Sequence, residues 1–428
     1  MHSFSYRNDS LHCEDVDLAT LAAEHGTPLY VYSKATLEDH YRKLDTALAD
    51  LDHEVAFAVK SNSNLSVLKV LADLGGGFDI VSAGELKRVI AAGGDPKKCT
   101  FAGVAKTREE ITFALQNEIY AFNAESEAEL SLIDEVAGEL GVKAPVALRV
   151  NPHVDAKTHK YISTGKAENK FGVDFPFVEG VYERAAQKKN LNIKGLQMHI
   201  GSQLTEVGPF KEAVGKVAPL AAKLKEKYGI EFWSIGGGIG IVYEEALQAG
   251  QKQWWDEHEN RPLTAEEYAD ILLPLLKPLG LKIFLEPGRY ISGNAGVLLT
   301  SCIYEKKGTE KAFKIVDAGM NDLIRPALYE GHHQIIPVDK TITRTVVSDV
   351  VGPVCETGDF FCQNREVADV KQGDTLALMS AGAYGFVMAS VYNTRPWPAE
   401  ILVDGGEAKV VRPRMTVEEI LAPEQACL

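Results

Sequence analysis

The strongest constraint on the fold is a regular alternation of short apolar runs with amphipathic segments between residues 34 and 290. The runs predict eight strands: Val55–Val59, Phe78–Val81, Thr100–Gly103, Ile119–Phe122, Val146–Val150, Gly195–Ile200, Glu231–Ile235 and Lys282–Glu286. The segments between them, such as Leu65–Leu74, Glu125–Leu140 and Phe210–Tyr228, repeat apolar residues at helical spacing. Eight β-then-α units over roughly 250 residues is the count of a (β/α)₈ barrel of the TIM type. A doubly wound parallel sheet remains an alternative fold, because counting strands does not show that the sheet closes into a barrel.

The pattern changes after Arg289, where few segments of helical length separate the apolar runs. The runs predict strands at Val297–Tyr304, Phe313–Val316, Gln334–Pro337, Ile342–Val347, Thr375–Met379, Gly385–Val391 and Glu400–Val403. Another strand, Pro28–Tyr32, precedes the barrel. We therefore predict a barrel domain at 34–289 and an all-β domain, a barrel or sandwich, that joins residues 1–33 with 290–428.

Composition narrows the class of protein. The chain has 428 residues, of which 45% are hydrophobic and 25% charged, values typical of globular proteins. Its 45 Lys and Arg against 60 Asp and Glu give a net charge of −15, which does not attract nucleic acid or anionic lipid. The six cysteines include no CxxC pair, so neither a disulfide framework nor a zinc site is indicated. With no run of 18 apolar residues and no signal-like start, we expect a cytoplasmic protein without a metal.

Polar residues gather at the predicted carboxyl ends of the barrel strands, where such barrels carry their chemistry. They are Lys60, Asp79, Arg149, Asn151, His199, Ser202, Gly236, Gly237, Gly238, Gly240, Glu286 and Arg289. Taken singly, each has an ordinary explanation, such as a solvated lysine, a tight turn, a core histidine or an ion-pair partner. Together they favour pyridoxal phosphate, because a desolvated lysine can hold an aldehyde and backbone N–H groups with an arginine can hold a phosphate. An imidazole and a carboxylate would then serve the pyridine ring.

Eight motifs in order resemble the fold-type III, alanine-racemase-like pyridoxal-phosphate decarboxylases over nearly the whole chain. They are FAVKSN (57–62), FDIVSAGEL (78–86), HIGSQ (199–203), GGGIG (236–240), EPGR (286–289), RPALY (325–329), CETGD (355–359) and AYG (383–385). The resemblance implies that Lys60 carries the cofactor, that His199 stacks on its ring and that Glu286 contacts the ring nitrogen. It also implies cofactor contacts from Asp79, Ser202, Gly236, Gly237, Gly238, Gly288, Arg289 and Tyr384.

Within this family, the chain is most similar to members that convert meso-2,6-diaminopimelate to L-lysine and CO₂. The far end of that substrate carries both charges and calls for an arginine and an acid. The motifs supply Arg325, Tyr329 and Glu356, and the resemblance adds Arg289 and Tyr384. A related decarboxylase of ornithine, arginine or carboxynorspermidine is the alternative, although those substrates leave Arg325 without an obvious partner.

The resemblance also implies a proton donor and an assembly. Cys355 would protonate the carbanion after CO₂ leaves, and Cys355 and Glu356 would enter the site of the second subunit of a homodimer. A non-catalytic regulatory relative is a further alternative, against which the presence of both Lys60 and Cys355 argues.

Three features depart from the family pattern. GGGIG has Ile239 where leucine is usual, and CETGD has Thr357 where serine is common, a change that can shift a hydroxyl contact. The segment Gln248–Pro262, which contains two adjacent tryptophans among polar residues, is interpreted as an insertion that either trims the cleft or decorates the surface.

Overall fold

The computed structural model describes residues 1–155, 170–259 and 261–428. Its strands are β1 Phe4–Arg7, β2 Ser10–Cys13, β3 Val16–Asp17, β4 Leu29–Ser33, β5 His53–Ala58, β6 Gly77–Ile80, β7 Cys99–Phe101, β8 Ala121–Ala124, β9 Ala144–Asn151, β10 Val173–Asp174, β11 Leu191–Met198, β12 Phe232–Ser234, β13 Lys282–Leu285, β14 Gly296–Lys307, β15 Ala312–Val316, β16 Ile335–Pro337, β17 Thr345–Val351, β18 Phe360–Ala368, β19 Thr375–Leu378, β20 Ala399–Asp404 and β21 Glu407–Arg412. Its α-helices are α1 Leu18–His25, α2 Lys34–Ala47, α3 Leu65–Asp73, α4 Ala83–Ala91, α5 Arg108–Gln116, α6 Glu127–Leu140, α7 Val178–Ala185, α8 Gly208–Tyr228, α9 Lys252–Glu257, α10 Ala265–Leu276, α11 Arg289–Ser292, α12 Arg325–Tyr329 and α13 Val417–Gln425.

The strands β5 to β9 and β11 to β13 form a closed parallel barrel. Each pairs with the next in chain order, and β13 returns to β5 with Ile283 opposite His53. The pairing of β8 with β9, with Phe122 opposite Val146, completes the ring. Each of the eight predicted strands overlaps one of these strands. The (β/α)₈ prediction is therefore confirmed, and the doubly wound alternative is wrong because an open sheet has no such closing pair.

Local sequence signals place the first helices of the barrel. Asn64 caps α3 by accepting a hydrogen bond from the backbone N–H of Ser66 at 2.9 Å. Ser82 caps α4 in the same way, accepting from the backbone N–H of Glu85 at 3.1 Å. These side chains satisfy N–H groups that a helix leaves unpaired at its start, so the chain turns into each helix directly after a barrel strand.

An apolar layer fills the barrel interior toward the amino ends of the strands. Small side chains at Ala56, Ala121 and Ala147 leave room for the rings of Phe232 and Phe284, and all five are fully buried. Ala121 and Phe232 are the first residues of their strands. Polar side chains inside the barrel therefore lie toward the carboxyl ends, the end that carries the chemistry in this architecture.

The β-rich unit comprises Met1–Leu37, Val242–Arg261 and Ile291–Leu428, and the barrel unit comprises Glu38–Ile241 and Pro262–Tyr290. Within the β-rich unit, the N-terminal strand β4 lies between β14 and β20 in a mixed sheet. It runs antiparallel to β14 and parallel to β20. The N-terminal segment therefore belongs to the β-rich fold, as predicted. The domain limits at 33/34 and 289/290 stay predictions.

Apart from Pro262, the segment interpreted as an insertion lies in the β-rich unit. Its described part contains a turn at Gln248–Gly250 and the short helix α9. Trp254 stacks on His258 with ring centroids 4.4 Å apart. Asn260 of this segment lies outside the described residues.

One predicted strand of the β-rich part, Gly385–Val391, is wrong. The chain there forms a 3₁₀ turn at Phe386–Met388, directly after Tyr384 adopts a left-handed backbone with φ 56°. A left-handed residue reverses the chain and interrupts an extended path. In contrast, β18 escaped the sequence analysis because the polar run of residues 363–365 interrupts its apolar pattern. None of the helices described here is long and apolar enough to cross a bilayer.

Candidate active site

The predicted cofactor lysine stands at the mouth of the barrel. Lys60 follows β5 in a 3₁₀ turn, and 40% of its side chain is exposed. Its Nζ donates to Oδ2 of Asp79, on the neighbouring strand β6, at 2.9 Å. Asp79 is fully buried, and its Oδ1 has no hydrogen-bond partner among the described residues. The arrangement holds an accessible amine against a buried carboxylate.

Glu286 lies directly after β13 in the barrel interior and is 7% exposed. Its carboxylate accepts hydrogen bonds from Ser234 Oγ at 2.5 Å, from Gln197 Nε2 at 3.0 Å and from Asn123 Nδ2 at 3.3 Å. Burial, with a smaller contribution from the charge of Asp79, raises the pKa of Glu286 to about 7. The group is therefore an enclosed carboxylate that neutral side chains hydrogen-bond from three other strands.

The raised pKa of Glu286 predicts a pH-dependent stability difference. Between its ordinary pKa of 4.5 and about 7, the folded protein binds this proton more tightly than the unfolded chain does. The contribution of Glu286 to stability therefore falls as the pH rises through that window. Relative to the parent, cofactor-free Glu286→Gln should gain about 1–3 kcal/mol in unfolding free energy between pH 4.5 and pH 8. Urea unfolding at both pH values measures it, and a difference that does not change with pH would contradict the assignment.

The glycine run after β12 makes a turn that no other residue type fits. Gly236 and Gly238 have φ of 75° and 111°. A Cβ on Gly237 would lie 2.1 Å from the backbone oxygen of Glu286. The turn thus packs its backbone directly against the ends of the neighbouring strands, the usual form of a glycine-rich phosphate-binding turn.

Arg289 and Ser202, both predicted to contact the phosphate, lie together in the barrel unit. Arg289 is 6% exposed, and its Nη2 and Nε donate to Ser202 Oγ at 3.1 Å and 3.3 Å. A guanidinium beside a hydroxyl suits a phosphate, because both groups donate hydrogen bonds.

His199 is held in its uncharged form. The backbone N–H of Gly237 donates to His199 Nδ1 at 3.3 Å, so that this nitrogen acts as an acceptor. Burial lowers the pKa of His199 well below its ordinary value, and the positive charges of Arg149 and Lys60 lower it further. An uncharged imidazole can pack face to face on an aromatic ring.

Two buried ion pairs support the rim and escaped the sequence analysis. Arg149 Nη1 donates to Glu125 Oε1 at 2.9 Å. Lys106 Nζ donates to Glu129 Oε1 at 2.6 Å and to the backbone oxygen of Asn123 at 3.0 Å. These contacts fix the carboxyl ends of β8 and β9. A charged residue near the end of an apolar strand was the available signal, and it singled out Arg149 without giving its partner.

Lys106→Met should destabilise the protein strongly. The side chains of Lys106 and Glu129 are 1% and 6% exposed, so removal of the lysine leaves a buried carboxylate without its counter-charge. We expect a loss of about 3–5 kcal/mol in unfolding free energy, measured by urea titration. Lys277→Met, which breaks the exposed Lys277–Asp50 pair, is the matched control and should change stability by less than about 1 kcal/mol. Equal effects of the two variants would contradict the prediction.

The predicted substrate arginine is buried in the β-rich unit. Arg325 is 6% exposed, and its Nη1 donates to His333 Nε2 at 2.8 Å. Its guanidinium lies 4.6 Å from the ring centroid of Tyr243. His333 Nδ1 donates to the backbone oxygen of Met379 at 2.8 Å, which leaves Nε2 as the acceptor. The guanidinium is thus held in one place, and Tyr329 ends the same short helix.

The predicted proton donor lies on an exposed loop of the same unit. Cys355 and Glu356 are both exposed. The backbone N–H of Cys355 donates to Asn393 Oδ1 at 3.0 Å, and the hydroxyl of Tyr392 donates to the Glu356 carboxylate. Tyr384 is half-buried at its left-handed turn.

The barrel residues fit pyridoxal phosphate on structural grounds. An accessible lysine, a buried carboxylate, an uncharged histidine, a glycine turn and a buried arginine all belong to one unit. Each matches one part of that cofactor: the aldehyde, the ring nitrogen, the ring face and the phosphate.

Comparison with known proteins agrees with this fit. Residues 34–293 match the family model described as pyridoxal-dependent decarboxylase, pyridoxal binding domain. Over 427 residues the chain is 49% identical to diaminopimelate decarboxylase of Vibrio cholerae, covering 99% of both chains. It is 50% identical over 425 residues to the enzyme of the same name from Pseudomonas aeruginosa, again with 99% of both covered.

The chain belongs to the diaminopimelate decarboxylase family. A solved structure of diaminopimelate decarboxylase from Helicobacter pylori, complexed with L-lysine, superposes with a TM-score of 0.89 at 38% identity. The superposition covers 96% of this chain and 100% of that one. Membership in the diaminopimelate decarboxylase family confirms the family and the pyridoxal cofactor that the motifs predicted.

The neutral donors around Glu286 are the main residues that the motifs missed. Asn123, Gln197 and Ser234 are polar residues near the carboxyl ends of barrel strands. Strand register places Gln197 opposite Ser234, on the same face of neighbouring strands. A polar residue near the carboxyl end of a buried strand was the signal that could have identified them.

Proposed function

We propose that this protein is a pyridoxal-phosphate-dependent carboxy-lyase that converts meso-2,6-diaminopimelate to L-lysine and CO₂. The observation that carries the proposal is the end-to-end similarity, at 49% identity, to a relative named diaminopimelate decarboxylase. L-Lysine, the product of this reaction, is the molecule complexed with the Helicobacter pylori enzyme in its crystal structure. The product is the last compound of lysine biosynthesis.

The residues of the barrel have distinct roles in this proposal. When bound, pyridoxal phosphate supplies an electron sink for the bond that releases CO₂. Lys60 binds the aldehyde, and Asp79 holds the lysine amine. Glu286 accepts a hydrogen bond from the protonated ring nitrogen, while uncharged His199 offers a flat surface to the ring. Gly236, Gly237, Gly238, Gly288, Ser202 and Arg289 surround the phosphate.

In this proposal, residues of the β-rich unit bind the distal end of the substrate. Buried Arg325, with Tyr329, binds the distal carboxylate, because a held guanidinium matches two carboxylate oxygens. Glu356 binds the distal ammonium. Arg289 and Tyr384 contribute further substrate contacts.

We further propose that the protein acts in the cytoplasm as a homodimer with shared active sites. Cys355 and Glu356 are exposed on their own protomer, which makes them available to a second copy of the chain. In the dimer, Cys355 Sγ donates the proton that replaces CO₂ at carbon.

Cys355→Ala should slow decarboxylation about 100- to 1,000-fold while leaving cofactor affinity unchanged, because the variant lacks only the proton donor. Steady-state CO₂ release and pyridoxal phosphate titration measure the two quantities. Cys427→Ala removes the other exposed cysteine and should leave both unchanged. An unchanged rate in Cys355→Ala would remove this residue from the mechanism.

Product analysis tests the substrate. Cofactor-loaded protein is mixed separately with meso-diaminopimelate, L-ornithine, L-arginine, L-lysine and carboxynorspermidine, and CO₂ and the amine product are identified. Lysine from diaminopimelate alone is the expected result. Release of CO₂ from another of these compounds would be consistent with the Lys60 chemistry and would overturn the substrate assignment. Absence of CO₂ release from all five compounds would favour a regulatory protein.

A further inference from the structure

Three neutral side chains enclose the carboxylate of Glu286, and we call Asn123, Gln197 and Ser234 the carboxylate cage. They reach it from β8, β11 and β12, while Glu286 itself follows β13. Glu286 Oε1 accepts from Ser234 Oγ at 2.5 Å and from both amides at 3.3 Å. Oε2 accepts from Gln197 Nε2 at 3.0 Å. Gln197 therefore contacts both oxygens and restricts rotation of the carboxylate.

The direction of the Ser234 hydrogen bond follows from its second contact. The backbone N–H of Gly236 donates to Ser234 Oγ at 3.4 Å and occupies a lone pair of that oxygen. The hydroxyl proton is then available to Glu286. Ser234 thus connects the glycine turn with the carboxylate, and its donated proton favours the ionised form of Glu286.

The cage adds no charge to a site that already contains several charged side chains. Asp79 is a second buried carboxylate of the same barrel, and its negative charge disfavours ionisation of Glu286. Lys60 and Arg149 act in the opposite direction. A cationic side chain in direct contact would favour the anion more strongly, but it would also compete with a cationic ligand for the same oxygens. Neutral donors stabilise the anion and leave its charge available.

We propose that the carboxylate cage positions Glu286 and favours its ionised form, and that it thereby controls how strongly the protein recognises a protonated ring nitrogen. The inference rests on the proposed role of Glu286 as the partner of that nitrogen. Asn123, Gln197 and Ser234 are positioning residues, since they act on the cofactor through Glu286.

A pair of cofactors that differ in one ring atom tests the proposal. Cofactor-free protein is titrated with pyridoxal phosphate and with its 1-deaza analogue, in which carbon replaces the ring nitrogen, and the ratio of the two Kd values is taken. The parent should prefer pyridoxal phosphate by at least about tenfold, because only that molecule offers a charged hydrogen bond to Glu286. Ser234→Ala and Gln197→Met should each reduce this preference about three- to tenfold. Both ligands are measured on one preparation, so a partly unfolded variant affects both titrations alike.

Two further variants separate the possible outcomes. Glu286→Gln should remove the preference, and if it does not, the assignment of Glu286 to the ring nitrogen fails together with this proposal. Loss of preference in Glu286→Gln but full preference in the cage variants would overturn the cage proposal alone. An equal fall in affinity for both molecules would also overturn it, since that is the result of a merely structural role. Ser348→Ala removes a buried hydroxyl from β17 and should leave the ratio unchanged.

Discussion

Lys60→Ala should lower the rate of CO₂ release from meso-diaminopimelate by at least about 1,000-fold, measured at saturating pyridoxal phosphate. The substitution removes the amine that binds the cofactor aldehyde and leaves Asp79 buried without the Lys60 ammonium 2.9 Å away. No other lysine contacts Asp79 among the described residues. Cofactor affinity should fall as well, because the covalent link is lost.

A surface lysine provides the control for this variant. Lys69 lies on α3, the helix that follows Lys60 in the chain, with 63% of its side chain exposed in a pair with Asp73. Lys69→Ala should retain the parent rate, since exposed pairs of this kind contribute little. Near-normal activity in Lys60→Ala would overturn the assigned reaction chemistry.

Arg325→Met should lower kcat/KM for meso-diaminopimelate about 100- to 1,000-fold. The guanidinium is buried and held by His333 and the ring of Tyr243. The substitution therefore removes a positive charge that is already positioned for the distal carboxylate of the substrate. Methionine occupies a similar volume without the charge. Arg325→Lys should recover only part of the loss, because an ammonium does not match both oxygens of a carboxylate.

Arg344→Met is the matched substitution on the surface. Arg344 has 84% of its side chain exposed and pairs with Asp369 at 3.5 Å. Its kcat/KM should equal that of the parent. If Arg325→Met also retained the parent value, the distal carboxylate would need another partner and the substrate assignment would lose its main structural support.

The barrel could be predicted from sequence because its signals are local. Each strand is a short apolar run, and Asn64 and Ser82 cap the helices that follow two of them. Closure could not be predicted, since it depends on the pairing of β8 with β9 and of β13 with β5. The second of these joins residues more than two hundred positions apart.

The same difference between local and long-range signals applies to the residues of the candidate site. Lys60 and the glycine turn follow their strands directly and belong to contiguous motifs, so their position at the rim could be predicted. The carboxylate cage could not, because a polar residue within a barrel strand does not show what it contacts. The Gly385–Val391 strand was a wrong prediction for a related reason: a left-handed backbone at Tyr384 is a conformation that a non-glycine residue rarely signals in advance.

The position of β4 has a consequence for how the chain is made. All five residues of Leu29–Ser33 are buried, and both neighbouring strands, Gly296–Lys307 and Ala399–Asp404, come from the far end of the chain. At about 5–20 residues per second on the ribosome, this apolar strand waits tens of seconds for its partners. During that interval every barrel strand emerges and can pair. Until those partners emerge, both edges of this early strand are unpaired, and unpaired strand edges favour association between nascent chains.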